Sequence, residues 1–112
     1  MRRLVISDIH GCVRTFKELL NNVSFTKSDE LFLLGDYIDR GPNSSGVIDF
    51  ILELKQENYN VKTIKGNHEQ NMLDAYKEYS PLMFEGYVRK LNNAGDLLDK
   101  TGKLIPRYKE FM

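Results

Sequence analysis

Three short apolar runs, each closed by a glycine-containing polar cluster, constrain this chain more than any other feature of its sequence. The runs are Leu4-Val5-Ile6, Leu31-Phe32-Leu33-Leu34 and the alternating Val61-Lys62-Thr63-Ile64. Runs of this length bounded by polar or glycine residues read as β-strands. The first two are apolar on both faces, as expected of parallel strands covered by helices. Between them, Val13, Phe16, Leu19, Leu20 and Val23 recur at helical steps, the pattern of an amphipathic helix. Val47, Ile48, Ile51 and Leu52 repeat it, with Ser44 or Ser45 placed to cap the start. Met72, Leu73 and Tyr76 predict another helix that stops near Pro81, and a further one is predicted from Met83 to Leu91. Gly95, Gly102 and Pro106 mark turns beyond Asn92. The order β-α-β-α-β-α predicts an α/β fold with a mostly parallel sheet and right-handed crossovers.

One polar cluster follows each strand. They are Asp8-Ile9-His10-Gly11, then Gly35-Asp36-Tyr37-Ile38-Asp39-Arg40-Gly41, then Gly66-Asn67-His68-Glu69. Ligands of open parallel sheets bind at the carboxyl ends of the strands, so all three clusters are expected on one edge. That edge would gather the carboxylates Asp8, Asp36 and Asp39, the imidazoles His10 and His68, the neutral carbonyl ligand Asn67 and the fixed cation Arg40. Carboxylates crowded together repel and titrate upward, a penalty that a divalent cation removes. Mixed oxygen and imidazole donors without thiolate suit manganese, iron or zinc. Glu69 reads as first-turn helix stabilisation and Cys12 as a small apolar helix residue. Gly41 to Gly46 imitates the start of a phosphate-binding P-loop. Val47 and Ile48 stand where its Lys-Ser/Thr pair belongs, which excludes nucleotide binding of that kind.

Composition narrows the class without naming it. The 112 residues suffice for one small domain with a thin core. Sixteen basic and sixteen acidic residues cancel, leaving no basic excess for nucleic acid. No apolar run approaches the roughly 18 residues of a membrane span, and the apolar start is too short for a signal peptide. A single cysteine excludes an intrachain disulfide framework. Together these point to a reduced, cytoplasmic setting with no membrane or nucleic-acid partner.

The three clusters, in this order, resemble the signature of the phosphoprotein-phosphatase (PPP) family: Asp-x-His-Gly, then Gly-Asp-x-x-Asp-Arg-Gly, then Gly-Asn-His-Glu. The match covers residues 8 to 69 directly and keeps the spacing of a βαβ unit. Asp39-Arg40 sets it apart from the metallonuclease relatives, which usually lack the Asp-Arg. The resemblance implies the N-terminal β-α-β-α-β half of the calcineurin-like sandwich and two divalent metal ions, manganese foremost, with iron or zinc as alternatives. It implies Asp8 and His10 as ligands of the first metal and Asp36 as the carboxylate bridging both. Asn67 would serve the second metal and touch the phosphate. His68, held by Asp39, would be the general acid, and Arg40 a phosphate clamp. Two metals about 3.5–4 Å apart can lower the pKa of a bridging water to near 7, within reach of hydroxide attack on phosphorus. A planar guanidinium fits phosphate oxygens in bidentate fashion. A histidine oriented by an aspartate is typically worth about 10²–10⁴-fold in leaving-group protonation.

In this family the second metal takes two further histidines from later in the chain, whereas both histidines of this sequence, His10 and His68, are already assigned. Residues 1–112 are therefore expected to be the N-terminal part of a calcineurin-like metallophosphoesterase domain, truncated, weakly active or inactive alone. An apolar sheet face meant for the other half would be exposed and invite self-association. The implied function is metal-dependent phosphomonoester hydrolysis by two-metal activated hydroxide attack, foremost a serine/threonine protein phosphatase. One alternative is hydrolysis of dinucleoside tetraphosphates. Another, of a different class, is a catalytically incompetent fragment or binding subunit. The expected partners are a phosphorylated protein or nucleotide substrate and a missing C-terminal half.

Overall fold

The computed structural model describes residues 1–112. Strands β1 (Arg3–Ile6), β2 (Glu30–Leu33) and β3 (Asn60–Thr63) form a parallel sheet in the spatial order β1-β2-β3. Helices α1 (Val13–Asn22) and α2 (Ser44–Gln56) are the crossovers, and α3 (Asn67–Glu78) leaves β3. The register pairs Leu4 with Leu31 and Val61, and Ile6 with Leu33 and Thr63. This row joins Phe16, Leu20, Val47, Ile48 and Ile51 in the core, with Leu31 and Leu33 wholly buried. Phe16 of α1 meets Phe50 of α2 edge to face, with ring centroids 5.4 Å apart. The predicted α/β class and parallel sheet are what the chain adopts.

Helical cover on both faces is not. The alternate row, Val5, Phe32 and Lys62, continued by Leu34 and Ile64, lies on the open side. Val5 is 61% exposed and Ile64 59%. A sheet that grows in one direction through crossovers of one hand places its connecting helices on one face. The exposed apolar sheet face expected from the sequence is thus present, relieved at one end by Arg3 and Lys62, which pair with Glu30 at 3.3 and 3.4 Å.

Helix starts differ from expectation in detail. Asn43, not Ser44 or Ser45, caps α2 by accepting the Gly46 amide at 2.8 Å. Ser44 is buried and accepts the Asp39 amide instead. The predicted helix over 83–91 begins earlier, at Pro81, and widens in its second half. Helix α4 (Pro81–Gly86), capped by Ser80, runs into a wider π-type turn at Tyr87–Leu91. After a 3₁₀ turn at Gly95–Leu97, Pro106 opens a short helix α5 (Pro106–Phe111) rather than marking a turn. Arg107 and Tyr108 of α5 hold Asp49 of α2 at 3.1 and 2.8 Å.

Asp29, before β2, ties the sheet to α1. Its two oxygens accept a forked pair of bonds from Arg2 at 3.1 and 2.8 Å, and Arg2 also reaches the Val23 carbonyl. The Arg2 bond, helped by the Thr26 amide, lowers the Asp29 carboxyl from 3.8 to about 2. A lowered folded-state value contributes stability that is full above the ordinary carboxylate range and is lost as pH falls through about 2. Arg2→Ala is expected to return the Asp29 titration toward 3.8 and to raise the midpoint of acid unfolding. Carboxyl NMR and circular dichroism against pH measure both; an unmoved midpoint would mean the pair contributes nothing.

Candidate metal and phosphate site

The three strand ends bring the three clusters together, and backbone bonds lock them. The amides of Asp8, His10 and Gly11 donate to the carbonyls of Gly35, Asp36 and Tyr37 at 3.2, 3.0 and 2.8 Å. The Asn43 amide closes the other side on the Gly11 carbonyl at 3.0 Å. The loops are strained while doing so. Asp8, His10, Asp36, Asp39 and Arg40 all have φ between 44° and 74°, a region costly for residues with a β-carbon. Such strain concentrates at functional sites, where neighbouring structure over-determines it.

Asp8, His10 and Asp36 offer ligand atoms that all lie within 4.8 Å of one another. The orientation of His10 fits this use. Its Nδ1 sits 2.9 Å from the Ile38 carbonyl, to which a protonated Nδ1 donates. That leaves Nε2 as the acceptor, 3.7 Å from Asp8 Oδ1. Metal-binding histidines are typically held this way through their second nitrogen. Asp36 is half-buried and accepts the His68 amide at the start of α3 at 2.9 Å. Burial pushes its carboxyl upward, but the His68 amide, the Asp8 carboxyl and the two imidazoles outweigh it and hold Asp36 below the usual range. The donor set and its spacing fit one divalent ion. A second ion would have Asp36 and Asn67 from this chain.

His68 and Asp39 form the second part of the site. Asp39 Oδ2 lies 2.7 Å from His68 Nδ1, which directs Nε2 away from the pair. The His10 and His68 rings meet edge to face at 4.6 Å, so the dyad borders the ligand cluster. Asp39 is buried, and its Oδ1 has no hydrogen-bond partner. Burial raises the Asp39 carboxyl in spite of the His68 bond. Arg40 is exposed, and its guanidinium makes no ion pair or hydrogen bond within the chain, so its fork is free for an anion. Asn67 is also exposed. It is the first residue of α3 rather than its cap, since Gly66 occupies the cap position and the Asn67 amide bonds to nothing within the chain. Arg40 follows Asp39 and Asn67 precedes His68, so both lie on the loops that carry the dyad.

Two residues matter more than the sequence reading allowed. Glu69 is wholly buried, and its carboxylate accepts four backbone amides: Asp36 at 2.6, Gly66 at 2.9, Tyr37 at 2.8 and Ile38 at 3.3 Å. It ties the middle cluster to the third, which first-turn helix stabilisation does not describe. Its position three residues after the cap was the available signal, since that is where a capping carboxylate sits. Tyr37 is buried beneath it, with its hydroxyl 2.8 and 2.7 Å from the Leu33 and Ile64 carbonyls. Burial foremost pushes its hydroxyl up to about 12. Cys12 corrects a further reading: it is exposed at the start of α1, not packed.

The chain is similar to known proteins in sequence and in fold. The family model described as "Calcineurin-like phosphoesterase" matches residues 1–110. A symmetrical bis(5'-nucleosyl)-tetraphosphatase of Wigglesworthia glossinidia brevipalpis is 38% identical over 98 residues, covering 87% of this chain and 35% of that protein. The protein of the same name from Proteus mirabilis is 35% identical over 97 residues, with 86% and 34% covered. A crystal structure provisionally named as a diadenosine tetraphosphatase superposes with a TM-score of 0.62 at 29% identity, covering 79% of this chain and 36% of its own. The chain therefore spans about a third of the length of the relatives it matches. With the family model matching residues 1–110, this chain belongs to the calcineurin-like phosphoesterases, a family of metal-dependent hydrolases.

Proposed function

We propose that residues 1–112 form the N-terminal part of a calcineurin-like metallophosphoesterase domain that hydrolyses dinucleoside tetraphosphates. The observation that carries this reading is the Asp8, His10 and Asp36 cluster bordered by the Asp39–His68 dyad. Among substrates, the names of the relatives favour a dinucleoside polyphosphate over the serine/threonine phosphoprotein that the motifs first suggest. Asp8, His10 and Asp36 would hold one divalent ion, with Asp36 and Asn67 turned to a second; manganese suits these donors, and iron or zinc would also fit. When bound, such ions acidify a water and draw charge from phosphoryl oxygens. Arg40 supplies a planar fork to the phosphate. His68 carries a proton on Nε2 toward the leaving oxygen, with Asp39 fixing the ring. A nucleotide substrate and an exposed thiol suit the cytoplasm, and no helix is long and apolar enough to cross a membrane.

The leaving group distinguishes the two substrate classes. A phosphate oxygen departs as a stable anion, whereas the alkoxide of a serine ester needs a proton. His68→Asn is therefore expected to cost about 10²–10⁴-fold on a phosphomonoester and distinctly less on diadenosine tetraphosphate. The test is chromatography of products from diadenosine tetraphosphate with manganese, using His68→Asn and Asp36→Asn, and chelation as a further arm. Adenosine diphosphate formation that is lost with Asp36→Asn and on chelation supports the reading. Turnover of phosphopeptide alone would restore the protein-phosphatase reading. A folded chain that binds one ion and turns over neither substrate would favour the incompetent-fragment reading, since residues 1–112 would offer a second ion only Asp36 and Asn67.

A further inference from the structure

We propose that Arg89 and Asn93 form a second phosphate subsite, which holds a phosphate of a polyphosphate chain beyond the one that Arg40 clamps. The proposal rests on the polyphosphate reading above and names residues outside the strand-end clusters. A cleft of about 350 Å³ is lined by Pro42, Arg89, Asn93, Gly95 and Asp96, with no apolar side chain except proline. It adjoins the candidate phosphate clamp. Pro42 is two residues from Arg40, at most about 7 Å along the backbone. The segment carrying Asn93 is bonded onto the same loop: the Arg40 amide donates to the Asn92 carbonyl at 2.7 Å. The Asn93 amide nitrogen lies 3.5 Å from the Gly41 carbonyl.

Local structure points Arg89 into this cleft. Arg89 sits in the π-type turn at Tyr87–Leu91, a distortion frequent at functional sites. The turn is closed by the Asn92 backbone and side-chain amides, both 3.2 Å from the Tyr87 carbonyl. Asn93 then takes φ of 53°, which Asn tolerates better than most residues. Gly95 leaves room for the guanidinium, since a β-carbon there would lie 2.9 Å from an Arg89 terminal nitrogen. Arg89 spends only its Nε, on Glu85 at 3.3 Å, so both terminal nitrogens remain free. Asp96 is the one acid lining the cleft, and its carboxylate is engaged by the Ser45 amide at the start of α2 at 2.6 Å. What faces the cleft is an unspent fork and a side-chain amide, which suits a phosphate oxygen pair.

The test is calorimetric titration of the protein with inorganic tripolyphosphate and with orthophosphate, for the wild type, Arg89→Gln, Asn93→Ala and Lys90→Gln. Lys90 is an exposed cation on the same turn and controls for net charge alone. The wild type is expected to bind tripolyphosphate more tightly than orthophosphate. Arg89→Gln is expected to weaken tripolyphosphate about tenfold, and Asn93→Ala less, with orthophosphate unchanged. Lys90→Gln should leave both nearly as in the wild type. Equal weakening of both anions by Arg89→Gln would overturn the subsite, as would no weakening, or a Lys90→Gln effect of the same size. The readout is separate from catalysis. Tripolyphosphate binding that needs Arg89 in a protein that leaves diadenosine tetraphosphate intact would keep the subsite and remove the hydrolase reading. Hydrolysis with Arg89-independent binding would do the reverse.

Discussion

Glu69→Ala is expected to cost more than about 3 kcal/mol of stability and to abolish tight metal binding by the Asp36 loop. Four amides from two segments converge on this one buried carboxylate. Removing it leaves them desolvated and unpaired, each costing on the order of 1–3 kcal/mol before relaxation. Relaxation would require the Asp36–Ile38 loop to move away from α3, and that loop carries the ligand Asp36. Glu69→Gln separates charge from shape. A carboxylate accepts on both oxygens, and here Oε1 serves Asp36 and Gly66 while Oε2 serves Tyr37 and Ile38. Glutamine has one oxygen, and its NH₂ would face two backbone donors whichever way it turned. Glu69→Gln is therefore expected to be nearly as damaging as Glu69→Ala. Thermal unfolding and calorimetric manganese titration measure both consequences. A glutamine variant with wild-type stability and metal affinity would show that the carboxylate is not what holds the loops.

Glu69 also marks how far the sequence could be read. The convergence of Asp8, His10 and Asp36 was legible because their clusters follow apolar runs, and strand polarity puts the ends of parallel strands on one edge. The pairing of Asp39 with His68 was legible only through the family likeness, since no periodicity links residues so far apart. Glu69 was legible only as far as its cap bond to Gly66: a glutamate in a first turn is usually solvated, and nothing local announces that three amides of the Asp36–Ile38 loop will enclose it as well. The open sheet face was half legible. Leu4-Val5-Ile6 and Leu31-Phe32-Leu33-Leu34 read as covered on both sides, but which side the crossovers occupy depends on their common hand and the direction in which the sheet grows. The widening of the predicted helix at Tyr87 was not legible, because the bonds that close the wider turn come from Asn92, just beyond it.

Gly41→Ala is expected to be the most damaging single methyl in the chain. The sequence presents Gly41 as the end of a turn-rich cluster, and flexibility would explain it. The structure gives a steric reason instead. A β-carbon at 41 would overlap the His10 carbonyl oxygen and lie 2.9 Å from backbone carbons of His10 and Gly11. Those are main-chain atoms of the first cluster, already fixed by bonds to Asp36 and Tyr37, so no side chain can swing aside. Either the Gly41 loop lifts, which carries Arg40 away and breaks the Arg40–Asn92 bond, or the His10 segment shifts and loses its register with Asp36. Both routes uncouple a predicted metal ligand from the predicted phosphate clamp. The expected outcome is a loss above about 4 kcal/mol, or manganese affinity reduced by at least about 100-fold where the fold survives. Gly86→Ala is the matched control, because a β-carbon there meets nothing within 4 Å. Thermal unfolding and metal titration of the two variants decide it. If Gly41→Ala behaved like Gly86→Ala, the close approach of the two loops would not be what assembles the site, and the assignment of Arg40 and His10 to one reaction centre would lose its structural basis.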